Sequence, residues 1–262
     1  MKANRAEAHS PQDGTACVAV EGTSYASGFR SEWHHHVSAQ LIYPSRGTMT
    51  IHTGKGTWVI PPMRACWLPA LEAHCVETST RLDMLSVYCR GDVLPLLPRD
   101  TSVVQVSGLL RELILAVQES SPAASTDQRF SRMAMVLADQ IKPQRFPGIS
   151  MPPPLSLRLR RIADALATDP ADSRTLHAWA EELGISTRTL ARTFEREARM
   201  TFVEYRRQAR LYAAVTKLAA GEPVSSVAYD VGFSSTSNFI TAFRKATGAT
   251  PMRYFREAGT RA

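Results

Sequence analysis

Apolar and polar residues follow three different rhythms along this chain. Between about residues 17 and 90, short runs rich in Val, Thr, Trp, Tyr and Ile are broken by Gly and Pro, as in "AQLIYPSRGTMTIHTGKGTWVIPPMRACWLPALEAHCVET". Such runs predict short strands separated by turns, and "TMTIHT" and "TWVI" on either side of "GKG" read as the arms of a hairpin. From 107 to 141, "SGLLRELILAVQES" and "DQRFSRMAMVLADQI" repeat their apolar residues at helical spacing and predict amphipathic helices. Leu110, Leu113, Ile114 and Val117 share one face of the first helix; that face either joins two copies in a homodimer or simply covers the strands. "KPQRFPGISMPPPL" is too rich in proline to continue a helix and reads as a linker. Beyond it every segment has helical spacing.

The helical part says nearly the same thing twice. "WAEELGISTRTLARTFEREAR" begins at Trp179, and "VAYDVGFSSTSNFITAFRKATG" begins at Val227. Aligned on their glycines, Ala180 matches Ala228, Gly184 matches Gly232, Ser186 matches Ser234, and Phe194 matches Phe243 after one inserted residue; Tyr205 then matches Tyr254. Each copy reads as helix, turn, serine, helix. A small Ala lets the second helix cross closely over the first, and Gly supplies the left-handed backbone of the turn. Ile185 or Phe233 plugs the angle, and Ser186 and Ser234 or Ser235 are placed to cap the second helix. With Leu190 and Phe194 inward, Arg188, Ala191 and Arg192 face out; with Phe239 and Phe243 inward, Thr236, Ser237, Ile240 and Thr241 face out. Arg and short polar or methyl-bearing side chains on such a helix suit base edges in a major groove, although a plain helical bundle would expose the same residues. Between the copies, "FVEYRRQARLYAAVTKLAAG" lacks internal Gly and Pro. About 18 helical residues at 1.5 Å each make a rod of roughly 27 Å, close to the roughly 34 Å between successive major-groove faces on one side of B-DNA.

Charge agrees with that division. Residues 1–154 hold 14 Lys and Arg against 13 Asp and Glu, whereas residues 155–262 hold 17 against 11, so nearly all of the net +7 lies in the helical part. A basic surface there suits a polyanion. At 262 residues the chain has room for two or three domains. No apolar run approaches the roughly 20 residues that span a bilayer, and the polar start "MKANRAEAHSPQDG" has no secretory core, so a cytoplasmic protein without membrane contact is expected. Cys17, Cys66, Cys75 and Cys89 are scattered without a C-x-x-C pair and read as free thiols.

Residues 158–257 resemble the AraC/XylS transcriptional regulators. "WAEELGIS" is similar to the opening of that family's first unit, and "VAYDVGFSSTSNFITAFRKATGATPMRYFR" follows its signature nearly throughout. The resemblance implies a seven-helix domain that binds double-stranded promoter DNA through two helix-turn-helix units. It places base contacts at Arg188, Ala191 and Arg192 in the first unit and at Thr236, Ser237 and Thr241 in the second. A small-molecule effector, a homodimer and, for an activator, RNA polymerase are the further partners expected.

The N-terminal part resembles a second family. "GFRSEWHHHVSAQLIYPSRG" has the form G-x5-H-x-H-x3-Q-x6-G, similar to the first motif of cupin barrels with Gln40 where many metal-binding members carry Glu; Pro69 and His74 stand where the second motif expects them, with Leu71 in place of its glycine. His34 and His36 are two apart, so on a strand both point to one face. With His74 they form a candidate site for a divalent Zn, Fe, Ni or Mn ion, or they line a polar effector pocket without metal. Arg64 and Trp67 are candidates for the same pocket, suited to an anionic or aromatic effector. The fold class expected is therefore α+β: a tail at 1–15, a cupin or jelly-roll-like β-barrel at 16–100, helices at 101–142, a linker at 143–155 and an all-α domain with two helix-turn-helix units at 156–262. Function divides between an effector- or metal-controlled DNA-binding regulator, with no catalytic residues, and a metal-dependent cupin enzyme fused to a helical domain. Gln40 in place of Glu favours the regulator.

Overall fold

A computed structural model describes residues 17–120, 127–143, 149–152 and 156–256. The expected tail at 1–15 and much of the expected linker lie outside them. The chain divides into two compact units, one of residues 1–53, 60–145 and 257–262, the other of 54–59 and 146–256. Among the described residues no helix is long and apolar enough to cross a membrane.

The first unit is built on strands β1 (Val18–Tyr25), β2 (Ala39–Arg46), β3 (Met49–Thr53), β5 (Arg64–Leu68), β6 (His74–Glu77), β7 (Leu82–Cys89) and β8 (Ser102–Gln105); β4 (Gly56–Ile60) intervenes in sequence. Five of them form an antiparallel sheet in the order β1-β7-β2-β5-β8, and β3 pairs with β6. The expected α+β class holds, and the jelly-roll-like part is built from sheets that do not close into a continuous barrel. Side chains on a strand alternate between faces, and this decides what each face buries. Leu41, opposite Val87 and Trp67, shares its face with Ala39, Tyr43, Ala65 and Cys89, and these residues form one core with helices α1 (Gly108–Glu119) and α2 (Gln128–Gln140). Gln40, opposite Tyr88 and Leu68, belongs to the other face, with Ile42, Ser86 and Cys66.

Leu110, Ile114 and Val117 are buried in that same core, with Leu113 packed against it. The apolar stripe of α1 therefore covers the sheet of its own chain. Ser107 caps α1 by accepting from the Leu110 amide, and Asp127 caps α2 through the Arg129 amide.

The second unit contains seven α-helices among the described residues: α3 (Leu157–Thr168), α4 (Leu176–Glu182), α5 (Thr187–Thr193), α6 (Phe202–Ala219), α7 (Val224–Asp230), α8 (Thr236–Thr247) and α9 (Pro251–Arg256). They enclose two cores. Leu159, Ile162, Leu166, Trp179, Ala180, Leu190 and Phe194 pack with Phe202, Tyr205 and Ala209 from the first half of α6. Val227, Ala228, Phe239, Phe243 and Tyr254 pack with Leu211, Ala214, Val215 and Leu218 from its second half. A capping box fixes the start of α6: Thr201 accepts from the Glu204 amide while the Glu204 carboxylate accepts from the Thr201 amide.

Two short segments depart from the sequence pattern. Ser150–Met151, inside the expected linker, form strand β9 and pair with Trp58 and Thr57 of β4. Val59 and Ile149 are buried in the second of the two helical cores. Residues 54–59 thus belong to the helical unit although they sit among the strands in sequence.

Candidate nucleic-acid interface and sensor site

The two helix-turn-helix copies are built with the same backbone bonds. In the first, the Gly184 amide donates to the Glu181 carbonyl and the Ile185 amide to the Ala180 carbonyl; in the second, Gly232 donates to Tyr229 and Phe233 to Ala228. Both glycines are left-handed, with φ of +64° and +85°, a backbone that a side chain would strain. The following helices start on matching caps. Ser186 accepts from the Thr189 amide and Ser235 from the Asn238 amide, while Ser234 accepts from the Asn238 side chain. Each cap satisfies an amide that the first helical turn would otherwise leave open.

Burial sorts the faces of α5 and α8. Leu190, Phe194, Phe239 and Phe243 are fully buried. Opposite them Arg188 and Arg192 are exposed and Ala191 half-buried, while Ser237 and Thr241 are exposed and Thr236 half-buried. The first helix thus presents two guanidiniums and the second a row of hydroxyls. Asn238, also exposed in the first turn of α8, is a polar group that the helical spacing alone did not single out; its place beside Ser237 was the available signal.

In the first unit, His34, His36 and His74 converge. Their ligand nitrogens all lie within 4.8 Å of one another, and the rings of His34 and His74 are 4.3 Å apart. The cause is a pair of matching tripeptides, Glu32-Trp33-His34 and Glu72-Ala73-His74, laid antiparallel. The His34 amide donates to the His74 carbonyl and the His74 amide to the His34 carbonyl. In each tripeptide the histidine Nδ1 donates to the glutamate carbonyl two residues earlier, at 2.9 Å. A carbonyl only accepts, so both rings carry a proton on Nδ1 and turn Nε2 toward the cluster.

Burial pushes the His36 pKa down to about 4, helped by His34 and His35. Burial likewise takes His74 down to about 4, against the upward pull of its bond to the Glu72 carbonyl. Both rings are therefore neutral acceptors at pH 7. His74 Nε2 and the Gln40 Oε1 are buried without a hydrogen-bond partner, an arrangement that costs free energy until something occupies it. Gln40 donates through Nε2 to the Ser86 hydroxyl at 3.0 Å, and the Tyr88 ring stands edge-on to His36. Ser86 and Tyr88 were not anticipated from sequence; their two-residue spacing on β7, in register with Ile42 and Gln40, is the signal that would have found them.

The remaining two pocket candidates lie on opposite faces of β5. Arg64 is buried on the same side of β5 as Leu68, but four residues along a strand is roughly 13 Å. Trp67 faces the other way. It is buried in the core shared with α1 and α2, and its Nε1 donates to the Pro98 carbonyl at 2.8 Å. Positions 64 and 67 differ by an odd number, so one strand cannot turn both to one pocket.

A duplicated helix-turn-helix domain following a strand-rich domain with a convergent polar site defines a ligand-responsive DNA-binding protein. Residues 179–257 match a helix-turn-helix domain family and residues 19–147 match the AraC-like ligand binding domain. The chain is similar to the HTH-type transcriptional regulator NimR of Escherichia coli, 28% identical over 87% of this chain and 83% of that protein. It is 40% identical to the HTH-type transcriptional regulator RipA of Corynebacterium glutamicum over 39% of this chain and 31% of that one. A crystal structure of ToxT from Vibrio cholerae covers 94% of this chain and 99% of its own, at 12% identity and a TM-score of 0.40. The chain belongs to the AraC/XylS family: it is a DNA-binding transcription regulator with an N-terminal ligand-binding domain.

Proposed function

We propose that this regulator reads two successive major-groove segments of a promoter, with Arg188, Ala191 and Arg192 of α5 on one and Thr236, Ser237 and Thr241 of α8 on the other. The single observation that carries this reading is the repeat itself: two motifs with the same turn bonds and caps, each with its own core, mounted on the two halves of α6. The protein works in the cytoplasm as a homodimer, and it engages RNA polymerase where it activates a promoter. It is not an enzyme; the strand-rich unit senses, and the helical unit of residues 54–59 and 146–256 responds.

The sensing site is the cluster of His34, His36, His74 and Gln40, with Arg64 further along the same sheet face and Trp67 left out. The donor set fits a divalent first-row ion, Zn, Fe, Ni or Mn, because three imidazoles converge, two of them with Nδ1 tied to a main-chain carbonyl, and the buried Nε2 of His74 lacks a partner. Imidazoles at about 2.1 Å from a tetrahedral ion stand about 3.4 Å apart, within the reach of small rotamer changes here. His34, His36 and His74 would hold the ion, which would supply a positive anchor for an effector's donor atom. The buried Nε2 of His74 serves equally as an acceptor for an effector's own N–H or O–H group.

Selection of bound duplexes from a random pool, with and without divalent metal, tests both halves of the proposal. The expected result is a salt-sensitive, sequence-selective footprint covering two segments, altered by the ligand of the histidine site. Sequence-independent binding overturns the regulator reading; identical selection and no metal uptake in the wild type and in His34→Ala/His74→Ala removes the metal.

A further inference from the structure

The two readers meet a second time, away from α6. Between Ala209, the last α6 residue of the first core, and Leu211, the first of the second, stands Arg210. Its Nε donates to the Pro170 carbonyl at 3.1 Å and its Nη2 reaches the Asp172 carbonyl at 3.5 Å. One turn earlier, Arg206 Nη1 donates to the Arg174 carbonyl at 3.0 Å. Three carbonyls of the loop between α3 and α4 are thus held by two guanidiniums of α6.

That loop is tied to the first reader and touches the second. Arg174 lies over the Trp179 ring of α4 at 3.6 Å and pairs with Glu182 at the end of α4 at 2.7 Å. Asp172 accepts from the Arg174 amide and guanidinium, which stiffens the loop. On its other side, the turn of the second reader presses against it: a Cβ at Gly232 would stand 2.8 Å from Ala171 Cα and 2.9 Å from Arg210 Nη2. Gly232 therefore serves close approach as well as its turn.

We propose that Arg210, with Gly232 against Ala171, is a positioning device that sets the angle and separation of α5 and α8, and so the spacing of the two promoter segments the protein accepts. A single rod fixes rise but leaves each reader to rock about its own end. A second joint, from α4 through the 169–174 loop to Gly232, closes the frame. A guanidinium suits the place because one side chain reaches two carbonyls in a fixed plane. The inference rests on both readers binding DNA, as proposed above.

The test uses full-length protein and the duplex selected above, remade with one base pair added to or removed from the stretch between the two segments, which rotates one reader's target by about 34°. Wild-type protein is expected to lose about tenfold in affinity for either change. Arg210→Met is expected to bind the best duplex about tenfold more weakly, the equivalent of one charge-assisted hydrogen bond. It should also discriminate little among the three spacings while binding a duplex holding only the first segment as the wild type does. General loss of stability would lower all of these together and leave the spacing profile intact. Gly232→Ala and Arg210→Lys carry the same test should Arg210→Met fail to fold. A wild-type spacing profile in every folded variant overturns the positioning role and leaves the regulator reading standing. A wild type that protects one segment only, or none, overturns both.

Discussion

The two readers share a skeleton and differ in what they show to DNA. In the first, Trp179, Leu190 and Phe194 close the core and two arginines stand outside; in the second, Phe239, Phe243 and Tyr254 close it and Thr236, Ser237 and Thr241 stand outside. Identical backbone bonds at the two glycines hold both. Scaffold and exposed face are thus separable: the core sets where a helix lies, and the proposed base contacts all lie outside it. Guanidiniums reach guanine edges and phosphates with charge, whereas hydroxyls and methyls discriminate by shape and single bonds. The first reader should dominate affinity and its salt dependence, and the second should refine choice.

The largest effect is expected from emptying one core. Phe243→Ala is expected to cost about 3–5 kcal/mol, as for other buried aromatic truncations, and to abolish protection of the second segment while the first survives at higher protein concentration. Thermal melting and footprinting read the two effects. Loss of both segments together would show that the cores are not independent.

Next in size is acidification of the sensor unit. His36 and His74 have folded pKa values held down to about 4, so the unfolded chain takes up protons that the folded chain refuses. Stability should therefore fall as pH drops from about 6.5, the ordinary histidine value, and level off below about 4. The apo protein's melting temperature, followed from pH 7.5 to 4, should show this decline, and His36→Gln/His74→Gln should flatten it. An unchanged slope in that variant would place the acid sensitivity elsewhere.

Arg192→Ala is expected to weaken binding by about 1–3 kcal/mol and relax one base position, and it should also reduce the slope of log affinity against log salt. Thr241→Ala should leave that slope unchanged and shift preference alone, so the pair of titrations measures the asymmetry directly. The smallest effects belong to the caps. Ser186→Ala and Ser235→Ala should each cost about 1 kcal/mol of stability, equally in the two copies, as their matching bonds require.

The repeat was legible because its turn glycines, caps and inward aromatics recur at matching positions in both copies, each set by local helix and turn geometry. The histidine cluster was legible in membership but not in chemistry: nothing in "EWH" or "EAH" announces that main-chain carbonyls fix the tautomers. Trp67 was misplaced by attending to residue type over parity, since strand alternation already separates it from Arg64. For α1, amphipathicity reveals that a face is buried without naming its cover, which proved to be the sheet of the same unit. The pairing of β4 with Ser150–Met151 joins segments some ninety residues apart in sequence, and no local pattern encodes such a match. Arg210 escaped notice because a lone arginine on a helix looks solvated until the loop carbonyls beside it are seen.

One helix gives its first half to one core and its second half to the other. As sequences diverge, each helix-turn-helix copy is therefore free to change its exposed face without repacking the neighbour. What resists change is the number of residues in α6, because adding or losing one turns the partner reader by about 100°. Divergence in this lineage should accordingly rewrite the letters of its operators far more readily than the gap between them.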